Sequence, residues 1–322
     1  MKIVFYGEDT ATFADGFAAL LSAPASLSVL PYALESAADR AAYAGAEVLV
    51  ATRLADGVPA PAGLRLLQVP AAGYDRIDFA ALPEAAEICN CFGHEQAIAE
   101  YVIAALLDRC VRLGDADARL RRGDWAYQAG DPARAHREIS EMTIGLLGFG
   151  HIGRKLGELA HAFGMNIVIA NRSPIAAGAW HGASFGLRDR DFWAAADAIV
   201  VSLPLTEDTK GLVGAVELGA MRPDAVIINV GRGPVIEEDA LYAALAERRI
   251  GGAVIDTWYR YPSAEDPTPL PGTRPFHGLA NIVMTPHMSG WSTGTIRRRR
   301  AFIAANVERL RAGMALENIV RA

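Results

Sequence analysis

The chain has 322 residues, enough for two domains with substantial cores. Apolar residues make up 52% and charged residues 21%, as in soluble globular proteins, and a net charge of −6 argues against nucleic acid or an anionic membrane as the main partner. Three cysteines, Cys89, Cys91 and Cys110, make neither a disulfide framework nor a four-ligand zinc pattern, so reduced thiols in a cytoplasmic protein and no metal site are expected.

The first ninety residues alternate strand-like and helix-like pieces. Ile3 to Tyr6 is a first strand, and it begins at once, so no leader peptide is expected. Ala11 to Leu21 reads as a helix. Ser36 can cap a short helix to Tyr43, with Gly45 as its stop. Val48 to Ala51, Leu64 to Val69 and the neighbourhood of Ile88 read as further strands. Between the last two lies Val69-Pro70-Ala71-Ala72-Gly73-Tyr74-Asp75-Arg76-Ile77-Asp78. Small residues at the carboxyl end of a strand expose backbone N–H groups where open α/β sheets hold ligands.

Ile98, Tyr101, Val102, Ala105, Leu106, Arg109 and Leu113 recur at helical spacing, which predicts a long helix over 95–113. His94, just before it, reads as a helix-start residue. No uncharged apolar run approaches the ~20 residues that a membrane span needs.

A strand, a glycine turn, a helix and a second strand follow from Thr143 to Ser173. Gly148, Gly150 and Gly153 stand in G-x-G-x-x-G spacing after the apolar run Ile144–Leu147 and before a helical pattern. That context is what a dinucleotide motif requires. Gly148 turns the chain tightly off the strand, Gly150 lets a pyrophosphate approach the backbone, and Gly153 lets the helix pack close. The exposed N–H groups and the helix dipole then face the anion. At the end of the second strand, NAD-specific sites carry Asp or Glu for the ribose 2′-OH. Here that place holds Asn171, Arg172 and Ser173. Asn does not repel a phosphate, and Arg and Ser can bind one, so NADP is expected in preference to NAD.

The βα rhythm then continues: a helix at Asp189–Ala196, a strand at Ala198–Ser202, a helix at Val216–Met221, a strand at Ala225–Asn229, a helix at Glu237–Arg248 and a strand at Ala253–Asp256. An irregular, proline-rich excursion runs from Tyr261 to Gly278, Ile282–Met284 is the last strand, and a helix closes the chain over about Ser292–Ala312. The Arg297–Arg300 run within it reads as a solvated turn of helix. Doubly wound parallel α/β sheets are the natural architecture. The final helix has room to return to the first domain, giving residues 1–98 plus 290–322 and residues 99–289 as the expected domains.

Three features follow strands of the second domain. Asn229-Val230-Gly231-Arg232-Gly233 sets a guanidinium between glycines, suited to gripping a carboxylate. Asp256-Thr257-Trp258-Tyr259-Arg260-Tyr261-Pro262 is the second. Thr285-Pro286-His287-Met288-Ser289-Gly290 offers an imidazole for proton transfer near neutral pH.

With these residues in view, the chain resembles the D-isomer-specific 2-hydroxyacid dehydrogenase family over essentially its whole length. The motifs are A-A-G-Y-D-R-I-D at 71–78, A-I-A-E-Y at 97–101, G-L-L-G-F-G-H-I-G-R at 145–154, S-L-P-L-T at 202–206, N-V-G-R-G at 229–233, D-T-W at 256–258 and T-P-H-M-S-G at 285–290. The resemblance implies two Rossmann-like domains with the active site in the cleft between them. It implies reversible hydride transfer between a nicotinamide and the α-carbon of a small 2-keto or 2-hydroxy acid, of glyoxylate or hydroxypyruvate type, and a homodimer. Arg232 matches the arginine that orients the substrate, and His287 the acid/base. The N–H groups of Ala72 and Gly73 match the seat of the substrate carboxylate, and Trp258 a substrate-side position. Cofactor positions are Gly148, Gly150, His151, Ile152, Gly153 and Arg154 at the glycine turn and Asn171, Arg172 and Ser173 after the second strand. Leu203, Pro204, Thr209, Val230, Gly231, Asp256, Ser289 and Gly290 at the later strand ends complete them.

One departure matters. The family carries a glutamate before a proline in the segment after D-x-F, paired with the histidine. Here that place is Tyr261-Pro262. A phenol can hydrogen-bond an imidazole but is uncharged at neutral pH. Tyr261 therefore stands as the third catalytic candidate, with Glu265 or Asp266 as possible substitutes from the same loop. His287 is expected to lose its proton at lower pH than in relatives that keep the carboxylate. Tyr74, Trp258, Tyr259, Tyr261 and Trp291 make either an aromatic substrate pocket or loop packing. Two other functions remain open on sequence: the same fold with a different hydride donor or bulkier keto acid, and a weakly catalytic nucleotide sensor that works by binding partners.

Overall fold

Two all-parallel sheets organise the computed structural model, which describes residues 1–54, 57–263 and 265–320. They belong to two compact units, Met1–His94 with Ser292–Ala322, and Glu95–Trp291. Helices and strands are numbered along the chain.

The first unit contains β1 (Lys2–Tyr6), α1 (Ala11–Ala14), β2 (Ser26–Leu30), α2 (Ala37–Ala44), β3 (Val48–Val50), β4 (Leu66–Gln68) and β5 (Glu87–Cys89), with α9 (Thr293–Arg311) returning from the end of the chain. The strand order is β2-β1-β3-β4-β5. Alternation along β1 shows why the strands read as apolar runs. Ile3 and Phe5 join Phe13, Phe17, Ile303 and Val307 on one face, while Val4 and Tyr6 join Tyr43, Leu49 and Leu67 on the other. Both faces are covered, as parallel sheets require. Ser36 caps α2 by accepting from the Asp39 N–H at 2.9 Å, as its place in the sequence predicts.

Three expectations in this unit are corrected. The helix read over Ala11–Leu21 is broken. It stops after Ala14, and Gly16 at φ 68° turns the chain into a short 3-10 segment, Phe17–Leu20. Asp15-Gly16 is a turn dipeptide inside an otherwise helical pattern, and the turn lets Phe13 and Phe17 both reach the core. β2 was not expected, because an edge strand with Val29 half exposed has too weak an apolar alternation. Nor is the arginine run simply solvated: Arg298, Arg299 and Arg300 donate to the carbonyls of Gly93, Phe92 and Thr12, tying α9 to its own unit.

The second unit contains α3 (Glu95–Val111), α4 (Leu113–Leu120), β6 (Thr143–Leu147), α5 (His151–Ala162), β7 (Asn166–Ala170), α6 (Arg190–Ala195), β8 (Ala198–Val201), α7 (Ala215–Ala220), β9 (Val226–Asn229), α8 (Glu238–Ala246), β10 (Gly252–Ile255) and β11 (Ile282–Met284). α4 is an unexpected helix. It follows Arg112 at φ 53° and is carried by the i,i+4 pairs Asp115–Arg119 and Asp117–Arg121 rather than by an apolar stripe. The sheet order is β11-β10-β9-β8-β6-β7. Leu146, Ile169, Val200 and Ile228 pack under α3 and α5. Leu147, Val201, Ile227 and Ile255 face Trp193, Leu218, Leu241 and Leu245 on the other side. Each such aliphatic side chain, removed from water, contributes about 1.5–3 kcal/mol. The chain direction reverses at β6, which lies between β7 and β8. In open α/β sheets ligands bind outside the carboxyl ends of the strands at such a point.

Candidate active site

Every expected site residue of the second unit follows the carboxyl end of a strand in this one sheet. Going across the sheet, the His287 turn follows β11, Asp256–Trp258 follow β10, and Arg232 follows β9. Leu203 and Pro204 follow β8, the glycine turn follows β6, and Asn171 follows β7.

The three glycines of the turn have three distinct environments. Gly148 sits at φ 100°, and a Cβ there would press on Leu203. A Cβ on Gly153 would lie far inside contact distance of the Gly148 carbonyl oxygen. A Cβ on Gly150 would meet nothing among the described residues within 4 Å. Gly148 and Gly153 are therefore demanded by the fold. Gly150 is not, and its open side lies at the N-cap of α5, where no side chain among the described residues caps the helix. Open space against first-turn N–H groups suits a pyrophosphate. Arg154, one turn into α5, is exposed, with its guanidinium 5.2 Å from the Phe149 ring centroid. His151 is exposed and Ile152 partly buried beside it.

Asn171 links the two turns. Its Oδ1 accepts from the Phe149 N–H at 3.2 Å, and its Nδ2 donates to the Ser173 carbonyl at 2.9 Å. A carboxylate could make only the first bond. Arg172 and Ser173 are exposed beside it. These residues fit a dinucleotide: an uncapped helix terminus for its phosphates and an uncharged donor–acceptor at the ribose end.

Other expected cofactor positions have roles inside the protein. Thr209 is buried, and its hydroxyl donates to the Pro204 carbonyl at 2.6 Å and accepts from the Thr206 N–H at 2.8 Å, fixing the loop that presents Leu203 and Pro204. Val230 and Gly231 are buried in the turn after β9. There Asn229 accepts from the Gly231 N–H and donates to the Arg232 carbonyl, both at 3.1 Å. A Cβ on Gly231 would come within 2.6 Å of the Leu203 carbonyl oxygen, so the turn is also clamped from the β8 side. Arg232 leaves this turn half-buried, one Nη donating to the Gly231 carbonyl at 3.0 Å.

Asp256 is fully buried. Oδ1 accepts from the Thr285 hydroxyl at 2.6 Å and the Met288 N–H at 2.9 Å, and Oδ2 accepts from the Ser289 N–H at 2.9 Å. This carboxylate therefore ties down both ends of the turn that carries His287. His287 itself has φ 57°, a left-handed conformation uncommon for a non-glycine residue, and the flanking bonds hold it there. Tyr101 of α3 adds a contact of 2.8 Å to the Thr285 hydroxyl, and burial raises its phenol pKa. Gly290 follows the buried Ser289 at the end of the turn.

His287 is exposed, and its Nδ1 lies 2.9 Å from the Tyr261 hydroxyl. The same hydroxyl accepts from the Trp258 N–H at 3.1 Å. One lone pair is thus committed, leaving Oη a proton and a second lone pair. It donates to the Nδ1 of a neutral ring and accepts from the Nδ1–H of an imidazolium, where a carboxylate could only accept. Glu265 and Asp266 do not replace it. Glu265 accepts from the Ser263 hydroxyl, and Asp266 pairs with Arg260 at 3.4 Å.

Of the five aromatics considered for a pocket, Trp258 is 5% exposed, donates from Nε1 to the Thr285 carbonyl at 2.8 Å and meets Phe276 edge-on. Tyr259 stacks on the same Phe276. These two are packing beneath the site. Tyr261 meets His287, Trp291 is exposed, and Tyr74 belongs to the first unit, against Phe79. Ala72 and Gly73 are in that unit too, beyond β4, where Asn90 Nδ2 donates to the Ala72 carbonyl at 2.8 Å. Sequence reasoning missed the roles of Tyr101, Asn229 and Thr285. Each lies inside a quoted motif, but its partner is set by strand order.

A glycine turn at the switch point, with an arginine and a histidine two strands apart at the same end of the sheet, defines a nicotinamide-dependent oxidoreductase. Comparison with known proteins carries this further. The family model described as D-isomer specific 2-hydroxyacid dehydrogenase, NAD binding domain, matches residues 103–289. Glyoxylate/hydroxypyruvate reductase B of Yersinia pestis (strain Pestoides F) is 31% identical over 263 residues, 80% of this chain and 77% of that protein. The D-isomer specific 2-hydroxyacid dehydrogenase of Xanthobacter autotrophicus Py2, solved with NADPH and MES, is 25% identical, with a TM-score of 0.80 over 99% of this chain and 97% of its own. An acyclic imino acid reductase solved with NADPH and D-Arg shares the fold at a TM-score of 0.77 and 24% identity over the whole of both chains. The chain belongs to the D-isomer specific 2-hydroxyacid dehydrogenase family. It is an NAD(P)-dependent oxidoreductase that moves a hydride between the nicotinamide and the α-carbon of a 2-keto or 2-hydroxy acid.

Proposed function

We propose that this chain reduces a small 2-keto acid of glyoxylate or hydroxypyruvate type and prefers NADPH, with Arg232 and His287 as the catalytic pair and Tyr261 as the partner of His287. When bound, the nicotinamide supplies the hydride. The observation that carries the reading is that Arg232 and His287 leave the carboxyl ends of β9 and β11, with only β10 between them. At ~4.8 Å per strand their backbones stand about 10 Å apart, a span that one small keto acid and two long side chains can fill.

Arg232 grips the substrate carboxylate and leans on the carbonyl oxygen, drawing charge towards it. His287 passes a proton from Nε2 to that oxygen as the α-carbon receives the hydride, giving the 2-hydroxy acid. Tyr261 keeps the ring oriented in both protonation states by exchanging donor for acceptor at Nδ1. Steady-state rates with glyoxylate, hydroxypyruvate and longer 2-keto acids test the substrate. Turnover confined to the longer acids contradicts the proposal.

The coenzyme preference rests on Asn171, Arg172 and Ser173. Asn171→Asp places a negative charge where a 2′-phosphate would lie and loses the donor to the Ser173 carbonyl. The ratio of kcat/KM for NADPH to that for NADH is expected to fall about tenfold or more. An unchanged ratio removes Asn171 from the argument.

The phenol has a consequence for pH dependence. Tyr261→Glu puts a carboxylate beside the imidazole, which favours the imidazolium. Reduction consumes the protonated form, so the basic limb of the kcat/KM profile is expected to move up by about 1–2 pH units. Identical profiles for both proteins rule out Tyr261 as the group that sets that limb.

A further inference from the structure

The chain that leaves β7 through Asn171, Arg172 and Ser173 folds back on itself over 175–184. The Ile175 N–H donates to the Ser184 hydroxyl at 2.7 Å, and the Ser184 N–H donates to the Ile175 carbonyl at 3.1 Å. Nearer the tip, the Gly178 N–H donates to the His181 carbonyl at 2.9 Å. The returning end is pinned to the edge of the sheet. The Phe185 N–H donates to the Ile169 carbonyl at 2.8 Å, and the Phe185 carbonyl accepts from the Asn171 N–H at 3.1 Å. Arg172 and Ser173 are thus a short exposed bridge between Asn171 and the folded-back loop.

Trp180, near the tip of that loop, lies against the middle of α5. A Cβ on Gly157 would overlap the indole, so ring and helix backbone meet where that Cβ is absent. Glycine is the poorest helix former after proline, so the indole contact is what this position serves. The Trp180 ring is stacked on His161 at 6.3 Å between centroids, meets His181 edge-on at 4.6 Å and lies 6.0 Å from Phe149. Ile175 and Trp180 both pack against the core under α3 and α5.

Phe149 joins this packing to the residues assigned to the coenzyme. Its N–H donates to Asn171 Oδ1 at 3.2 Å. Its ring meets His181 edge-on at 5.3 Å, and the Arg154 guanidinium carbon lies 5.2 Å from its centroid. Trp180 and His181 therefore back the ring that carries Arg154, and they hold the far end of the bridge formed by Arg172 and Ser173.

We infer that Trp180 is a positioning residue for coenzyme choice: seated against Gly157, it fixes in advance the loop that presents Arg172 and Ser173 to a 2′-phosphate. The inference rests on the proposed preference for NADPH. Its physical basis is entropy. Two exposed side chains on a loose loop must be ordered when the phosphate binds, whereas a docked loop is ordered beforehand. NADH carries no 2′-phosphate, so its binding is indifferent to the loop.

The test measures calorimetric affinities for adenosine 2′,5′-bisphosphate and for 5′-AMP, which lacks only the 2′-phosphate. The proteins are wild type, Trp180→Ala, Trp180→Phe and Gly157→Ala. Wild type is expected to bind the bisphosphate more tightly. Trp180→Ala should weaken the bisphosphate about tenfold and leave both 5′-AMP affinity and kcat at saturating NADPH unchanged. Trp180→Phe should restore most of the loss. Gly157→Ala displaces the indole while favouring the helix, so it should reproduce the loss with the loop sequence intact, and it decides alone if Trp180→Ala does not fold. An equal loss on both nucleotides makes Trp180 a merely structural residue and overturns the inference. Discrimination kept at the wild-type level in both variants overturns the inference alone. Equal affinities for the two nucleotides in wild type overturn the NADPH preference and the inference with it.

Discussion

Replacing His287 with glutamine is expected to lower kcat for keto-acid reduction about 100- to 10,000-fold while leaving NADPH affinity unchanged. Glutamine keeps a hydrogen-bonding group in the turn but has no proton to release near neutral pH. The turn itself should survive, because Asp256 holds it through the Thr285 hydroxyl and the N–H groups of Met288 and Ser289, none of which the substitution touches. Stopped-flow single turnovers separate the step affected. A slow chemical step with normal binding places His287 at the proton transfer. A normal chemical step would assign the proton to another group and leave His287 a structural residue.

The second large effect divides two glycines of one motif. Gly150→Ala should leave the fold intact, with stability within about 0.5 kcal/mol of wild type, because a Cβ there meets nothing among the described residues within 4 Å. It should weaken NADPH binding by about 1.5–3 kcal/mol, roughly 10- to 100-fold, by filling the approach to the first-turn N–H groups. Gly153→Ala should do the reverse first. Its Cβ would collide with the Gly148 carbonyl oxygen, and the cost of about 1–3 kcal/mol falls on stability before any ligand is added. Thermal unfolding of both variants, alone and with NADPH, distinguishes the cases. A Gly150→Ala protein with normal cofactor affinity would put the phosphates elsewhere.

The contrast shows what a sequence can carry. The G-x-G-x-x-G spacing states that three positions lack a Cβ, but only the packing tells which absence serves the fold and which serves a ligand. The strand ends were legible because each is a local pattern, an apolar run followed by small or functional residues. Arg232 and His287 could be picked out on those grounds. The arrangement behind them could not. Asp256 reads as a residue beside the cofactor, yet its carboxylate is engaged on the His287 turn, and that contact follows from β10 and β11 being neighbours. Trp258 reads as a substrate-side aromatic but is buried, lending its N–H to Tyr261 and its indole to Thr285.

Elements of low apolar contrast were hidden for a related reason. β2 is an edge strand, held mainly by pairing with β1 along its whole length. α4 is held by surface ion pairs. Neither buries enough of one face to print a period on the sequence. The arginines of α9 give the opposite lesson. A charge run is normally solvated, but three of these guanidinium groups find backbone carbonyls that only the folded unit brings near.

The central claim is a hydride passed to the α-carbon of a keto acid between Arg232 and His287. The most direct measurement supplies NADPH carrying deuterium at the transferable position of the nicotinamide, together with glyoxylate or hydroxypyruvate. Mass spectrometry then locates the label. One deuterium on carbon 2 of the hydroxy acid, lost when Arg232 or His287 is replaced, is the predicted result. A label that stays on the cofactor, or that reaches the product equally well without either side chain, contradicts it.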